Sequence, residues 1–380
     1  MNIPDKLSAV GISVFAQMGE LARKYAAIGL EKGSPDFEMP TALMELSNRF
    51  ILEGKNQYAP LHGVPVLRTQ IANHISKKYQ KEINSNSEVL VTSGATQALY
   101  ISISAFVQSG DEVIIIEPAF ETYAPTVLIN GGIPIIHELD PPYFIIDWQK
   151  IQDLITPKTR MIILNTPHNP TGKTLKKQDW VALQNIVEDS QILILSDEVY
   201  ESLVFDGQSH QSILRFPQLW HRTLATFSLG KTFHCTGWRI GYLIAPQYLM
   251  EIVLKIHQNN LYAPHTAAQY AMGEYLKNTE HIDSITPFYE KKRNLFIEEM
   301  KESKFELLLC EGSYHLIADY KNISKLNDLD FTVQLFKKHG VGAIPLSFFY
   351  TSRRSDEIVR FCFAKKEETL ISGAQKLNRI

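Results

Sequence analysis

The stretch Ser228-Leu-Gly-Lys-Thr-Phe-His-Cys-Thr-Gly-Trp-Arg239-Ile-Gly241 sets a hydroxyl, an amine and a guanidinium close together, spaced by glycines. It follows the apolar run Thr223-Leu-Ala-Thr-Phe227 and leads into Ile240-Gly-Tyr-Leu-Ile244, so it reads as the connection between two buried strands. Runs of the same kind recur upstream at Val89–Thr92, Glu112–Glu117, Ile133–Ile136, Arg160–Leu164 and Gln191–Leu195. Helical patterns at Ala95–Gln108, Leu175–Asp189 and Tyr248–Gln258 separate several of these runs. The alternation predicts an α/β fold, a mostly parallel sheet sandwiched by helices. Ligands of such sheets bind beyond the carboxyl ends of the strands, and the chemically interesting residues fall there.

After about residue 266 the pattern changes. A helical stretch runs from Ala267 through Lys301, followed by strand-like segments at Phe305–Leu309 and Val359–Phe363 with helices between and after. With 380 residues, the chain exceeds one ordinary core. The expected division is an N-terminal arm and part of a small domain over 1–40, a large domain over 41–265 and a smaller α+β domain over 266–380.

The composition, 44% hydrophobic and 21% charged, is that of a globular protein. A formal net charge of −3 provides no basic field for nucleic acid and no attraction to a membrane. The cysteines Cys235, Cys310 and Cys362 lack metal-ligand spacing and fit a reducing compartment better than a disulfide framework. No run approaches the roughly 18 apolar residues of a membrane span, and the N-terminus lacks the apolar core of a signal peptide. The expected location is the cytoplasm.

A lone lysine is usually a solvated charge. Lys231, however, follows a strand and sits among Gly, Thr and Phe. A lysine held among apolar groups loses its proton, becomes nucleophilic and can form a Schiff base. An aldehyde cofactor with a phosphate handle would need a hydroxyl and a permanent cation nearby, which Ser228 and Arg239 supply.

In Leu195-Ser-Asp-Glu-Val-Tyr200, Asp197 either caps the next turn or pairs with a protonated pyridine nitrogen, and Tyr200 could donate to an oxygen of the same ring. Asn165-Thr-Pro-His-Asn-Pro-Thr-Gly172 is rich in turn residues, yet Asn169 lies just past a strand end and its amide could reach that oxygen. Gly94, Ala95 and Thr96 stand between a strand and a helix, where free N–H groups and the dipole suit phosphate. Phe120, beyond another strand end, is either a core residue or a face for a flat ring. Arg360, in the apolar strand Val359-Arg-Phe-Cys-Phe363, needs either a protein carboxylate or a substrate carboxylate.

Taken in order, YAPLHGVPVLR, SGATQAL, NTPHNPTG, SDEVYE, SLGKTFHCTGWRIG and VRFCFA resemble the sequence blocks of the class I/II pyridoxal-phosphate aminotransferases of the aspartate-aminotransferase fold group. The resemblance covers most of the chain and implies pyridoxal 5′-phosphate as cofactor. It also implies Lys231 as the lysine that holds the cofactor and shuttles the proton, and Asp197 as the partner of the ring nitrogen. Asn169 and Tyr200 resemble the pair on the phenolic oxygen, and Phe120 the stacking aromatic. Ala95, Thr96, Ser228 and Arg239 resemble phosphate ligands. Tyr58 resembles the tyrosine that crosses to the neighbouring subunit's phosphate, which implies a homodimer with shared sites. Arg360 resembles the clamp on the substrate carboxylate, and Gly33 the glycine whose backbone touches it. GSPDF, EPAFETYAP and IVRFCFAK look closest to the methionine and kynurenine–glutamine aminotransferase branch, which favours bulky apolar or aromatic donors. Lys32 and Ser34 depart from that branch's pattern, and Tyr262 stands where a partner-chain aromatic is expected.

The implied activity moves an amino group from such a donor to a 2-oxo acid by ping-pong kinetics. A carbon–sulfur β-lyase would share the pocket and differ after proton removal. A cofactor-sensing regulator would carry a DNA-binding domain, and the chain has only about 30 residues before GSPDF and no basic region.

Overall fold

The runs expected as strands alternate in a way that fills two cores at once. Ile114, Ile116, Ile162, Leu164 and Ile194 bury on one face of the sheet. Val113, Ile115, Met161, Ile163 and Leu195 bury on the other. Successive side chains of a strand point to opposite faces, so a strand covered on both sides must be apolar at nearly every position. The computed structural model, which describes residues 3, 5–8 and 10–380, arranges these runs as β1 (Val89–Ser93), β2 (Glu112–Glu117), β3 (Ile133–Glu138), β4 (Thr159–Asn165), β5 (Leu193–Asp197), β6 (Thr223–Ser228) and β7 (Ile240–Ile244). They form one seven-stranded sheet in the order β1-β7-β6-β5-β4-β2-β3. Strands β3, β2, β4, β5 and β6 pair in parallel, while β7 runs antiparallel to both β6 and β1. The carboxyl ends of β1, β2, β4, β5 and β6 therefore open on one edge. The helix Gly94–Phe106 leaves that edge directly from β1 and packs across β6 and β7.

A second sheet is antiparallel throughout. It comprises β8 (Glu306–Leu307), β9 (His315–Asp319), β10 (Ile344–Pro345) and β11 (Ile358–Cys362) in the order β10-β11-β9-β8. The N-terminal segment is tied to it. Ile28 bridges Val341, and the Cys362 amide donates to the Leu30 carbonyl at 2.8 Å. This leash brings Gly33 from the start of the chain to the edge where β6 ends.

The helical stretch expected over 267–301 is broken into Thr266–Tyr275, Glu280–Asp283 and Ile285–Glu299. Asn278 accounts for one break, because its side-chain oxygen accepts the Glu280 amide at 3.0 Å and so offers the backbone an alternative to the helix. The first piece packs on the helices Thr41–Leu52 and Pro65–Tyr79, whereas the last packs on Glu367–Leu377. One continuous helix could not reach both sets of partners. Among the described residues, no helix is long and apolar enough to cross a membrane.

Candidate active site

Strands β6 and β7 are antiparallel neighbours, with Ser228 opposite Gly241. The chain between them has only eleven residues to turn back, and it does so in two short steps. Ser228 caps the turn Leu229–Thr232, its hydroxyl accepting the Lys231 amide at 3.3 Å. The single 3-10 turn Thr236–Trp238 follows, and Arg239 then enters β7 with φ +53°. The connection thus holds the Lys231 amine and the Arg239 guanidinium over the same strand edge. Arg239 Nη2 lies 3.3 Å from the Thr96 hydroxyl, at the start of the helix that leaves β1. Gly94 makes this approach possible. Its φ is +70°, and a Cβ there would stand 2.5 Å from Arg239 Nη2.

Asp197 ends β5 and pairs in register with Asn165, the last residue of β4. The Tyr123 hydroxyl donates to Asp197 Oδ2 at 2.5 Å, and the Val199 amide reaches Oδ1 at 3.3 Å. Burial raises the Asp197 pKa to about 6, partly offset by the Tyr123 hydrogen bond. Tyr200 is buried three residues on, where desolvation pushes its hydroxyl above the usual phenol range.

The Lys231 amine donates to the Tyr314 hydroxyl at 2.6 Å and to the Gly33 carbonyl at 3.3 Å. Tyr314 in turn donates to that carbonyl at 2.6 Å. Burial lowers the Lys231 pKa to about 8; the charges of Arg360 and Arg239 push the same way, and Asp197 opposes them. About a tenth of the amine is therefore neutral and nucleophilic at pH 7, far more than for an ordinary lysine.

Arg360, on β11, is fully buried. Its Nη1 donates to Asn169 Oδ1 at 2.7 Å and its Nη2 to the Glu31 carbonyl at 3.4 Å. Neither partner is charged, and Nε has no partner among the described residues. Among the described residues, no carboxylate is paired with this guanidinium. The rings of Phe15 and Phe349 flank the guanidinium at 5.3 and 5.1 Å.

These groups face one cavity of about 530 Å³, walled by Gly33, Ala95, Thr96, Phe120, Asn169, Asp197, Tyr200, Ser228, Lys231, Arg239 and Arg360. Gly94 lies behind that wall against Arg239. Tyr58 and Tyr262 are not in it. They lie together on the surface, ring centroids 5.8 Å apart and 86% and 42% exposed. The sequence reading missed Tyr123, Tyr314 and His315. Tyr123 stands in the same EPAFETY stretch as Phe120. Tyr314 just precedes β9 and His315 opens it, neither with any local signal, and only tertiary packing brings them to Lys231.

The donor set suits an aldehyde bearing a phosphate and a basic ring. Gly94, lacking a side chain, lets the Arg239 guanidinium close onto a helix N-terminus and the Thr96 hydroxyl. The same cavity holds a buried carboxylate and an amine of lowered pKa. A mostly parallel sheet with such a site at its carboxyl edge is the arrangement of a pyridoxal-phosphate-type enzyme.

The sequence model of the aminotransferase class I and II family matches residues 26–377. Methionine aminotransferase of Escherichia coli is 41% identical over 376 residues, covering 99% of this chain and 97% of that protein. Rat kynurenine–oxoglutarate transaminase 1 is 32% identical, covering 98% of this chain and 97% of the relative. A crystal structure of an E. coli protein with a methionine aminotransferase function superimposes with a TM-score of 0.98 over the whole of both chains, at 41% identity. N-Succinyldiaminopimelate aminotransferase of Mycobacterium tuberculosis follows at 0.95 and 31% identity, again over the whole of both chains. The chain belongs to the class I and II aminotransferases. It is an amino-group-transferring enzyme, and its cofactor is pyridoxal phosphate.

Proposed function

We propose that this aminotransferase takes its amino group from a bulky apolar or aromatic amino acid, such as methionine, phenylalanine, tyrosine or kynurenine, and passes it to a 2-oxo acid in two half-reactions at one site. The observation that carries this reading is the shared cavity, in which the Lys231 amine, the Asp197 carboxylate and the Arg360 guanidinium meet between apolar walls that include Phe15, Leu99, Phe120 and Val199. Relatives named for methionine and kynurenine support the same donor class.

When bound, pyridoxal phosphate supplies an electron-withdrawing ring that acidifies the donor's Cα–H. Asp197, held by Tyr123, would keep a proton on the ring nitrogen. The Asn169 oxygen is taken by Arg360, and its amide nitrogen would serve the ring oxygen together with Tyr200. Phe120, in the cavity wall, would cover a ring face. The amides of Ala95 and Thr96, the Ser228 and Thr96 hydroxyls and Arg239 would hold the phosphate. Arg360 fixes the donor carboxylate with the Asn169 amide and the Gly33 backbone, which sets the Cα–H bond toward Lys231. The Lys231 Nζ removes that proton and later returns it, positioned by Tyr314 and the Gly33 carbonyl.

The reading extends to a homodimer in which the exposed Tyr58 reaches the partner's phosphate site and Tyr262 faces the partner's substrate. It places the enzyme in the cytoplasm, consistent with three buried free thiols. The division into a large domain over 41–265 flanked by 1–40 and 266–380 is proposed with it.

The test is a panel of amino donors (methionine, phenylalanine, tyrosine, leucine, kynurenine and glutamine) against several 2-oxo acids. Higher kcat/KM for the apolar and aromatic donors is expected, and a preference for aspartate or glutamate would overturn the reading. Release of pyruvate and a thiol from cystathionine as the main activity would favour a β-lyase instead. Sedimentation of the holoenzyme checks the dimer.

A further inference from the structure

His315 opens β9, and β9 pairs with β11 so that His315 stands opposite Cys362 and Ile317 opposite Arg360. Residues two apart on a strand share a face, so His315, Cys362 and Arg360 all point the same way, toward the cavity. His315 is completely buried and forms part of the cavity wall. Neither of its ring nitrogens has a hydrogen-bond partner among the described residues. A buried imidazole without partners is costly unless something in the cavity completes it.

Gly33 shows where that something sits. A Cβ at this glycine would lie 3.2 Å from His315 Nε2 and 3.9 Å from Arg360 Nη2. The imidazole and the guanidinium thus converge on one small region beside the Gly33 backbone. Burial holds the His315 pKa well below the usual imidazole range, and the neighbouring charges of Arg360, Lys231 and Lys365 act in the same direction. The other titratable groups against it are Tyr314 and Tyr200, with ring centroids 4.8 and 5.6 Å away, and Cys362 across the ladder. His315 therefore faces cations as a neutral ring with one N–H to donate, and an anion is the group that such a cluster accepts.

We propose that His315 is a further substrate-binding residue, whose ring N–H donates to the carboxylate that Arg360 holds, on both the amino acid and the 2-oxo acid. This rests on the reading of Arg360 as the carboxylate end of the site. The carboxylate is common to donor and acceptor, so the contact lowers KM for both and distinguishes neither side chain.

The experiment uses the holoenzyme and 3-phenylpropionate, an unreactive monocarboxylate with an aromatic tail, as competitive probe. Its inhibition constant is measured for the parent, His315→Phe, His315→Gln and Arg360→Ala proteins, with KM and kcat for donor and acceptor alongside. His315→Phe keeps the ring volume and removes the donor. It should weaken the probe and raise both KM values by about tenfold, the scale of one hydrogen bond to a charged group, with kcat within about threefold of the parent. His315→Gln restores an N–H at similar reach and should recover most of the affinity; His315→Leu, which also lacks a donor, takes the place of the Phe protein should that one fail to fold. Unchanged probe binding in His315→Phe, or Gln as weak as Phe, overturns the proposal, provided Arg360→Ala has lost the probe. Retained probe binding in Arg360→Ala would instead overturn the underlying reading of the carboxylate end.

Discussion

The Lys231 amine and the Tyr314 hydroxyl lie 2.6 Å apart, and both donate to the Gly33 carbonyl. Three segments from the beginning, middle and end of the chain thereby fix the direction of one amine. Tyr314→Phe removes one of the two acceptors of that amine and leaves the carbonyl. It should lower kcat by about tenfold with a smaller change in KM, because the loss falls on proton transfer rather than binding. Steady-state kinetics on a good donor check this, and an unchanged kcat would show that the Gly33 carbonyl suffices.

Lys231→Ala should reduce turnover by about a thousandfold or more and remove the visible absorption of the bound cofactor. In the parent protein stripped of cofactor, only the neutral amine attacks an aldehyde. With a pKa of about 8, the rate of pyridoxal phosphate addition should rise with pH and level off above that value. Stopped-flow absorbance from pH 6 to 9 measures it, and a flat profile would contradict a buried, desolvated lysine.

Asp197 carries a pKa of about 6 because burial outweighs the hydrogen bond from Tyr123. Protonation removes the charge that attracts the cofactor's ring nitrogen, so cofactor affinity of the stripped protein should fall as pH drops through 6. Tyr123→Phe takes away a contact that favours the ionised form, which raises the Asp197 pKa further and moves this fall to higher pH. Titration with pyridoxal phosphate from pH 5 to 8 reveals the shift; coincident curves for the two proteins would show that Tyr123 does not support the carboxylate.

Gly94→Ala forces a Cβ onto Arg239 at a backbone angle that side chains seldom adopt. The expected cost is about 1–3 kcal/mol in stability, together with weaker cofactor binding as Arg239 is displaced. Thermal unfolding with and without pyridoxal phosphate separates the two effects. A variant whose cofactor-induced stabilisation matches the parent would remove Arg239 from the phosphate site.

Much of this was legible without coordinates. The apolar runs identify β1 to β7 because strands buried on both faces must be apolar at nearly every position, and each run falls within a few residues of its strand. The helical stretch after residue 266 misled because periodicity reports an amphipathic face and not what that face packs against. It spans two separate packing partners, and local hydrogen bonding by Asn278 breaks it.

The sequence by itself determined the sheet, the strand-end positions of Asp197, Asn169 and Phe120, and the Ser228–Lys231–Arg239 spacing, because each depends on neighbours a few residues away. Only the tertiary structure decided that Arg360 meets Asn169 across 191 positions, that Tyr123 props Asp197 and that Tyr314 and Gly33 converge on Lys231. Those contacts exist because two sheets and an N-terminal leash close around one cavity. No local pattern encodes that closure, since the entropy of bringing distant segments together is offset by burial summed over the whole core and not by any one residue.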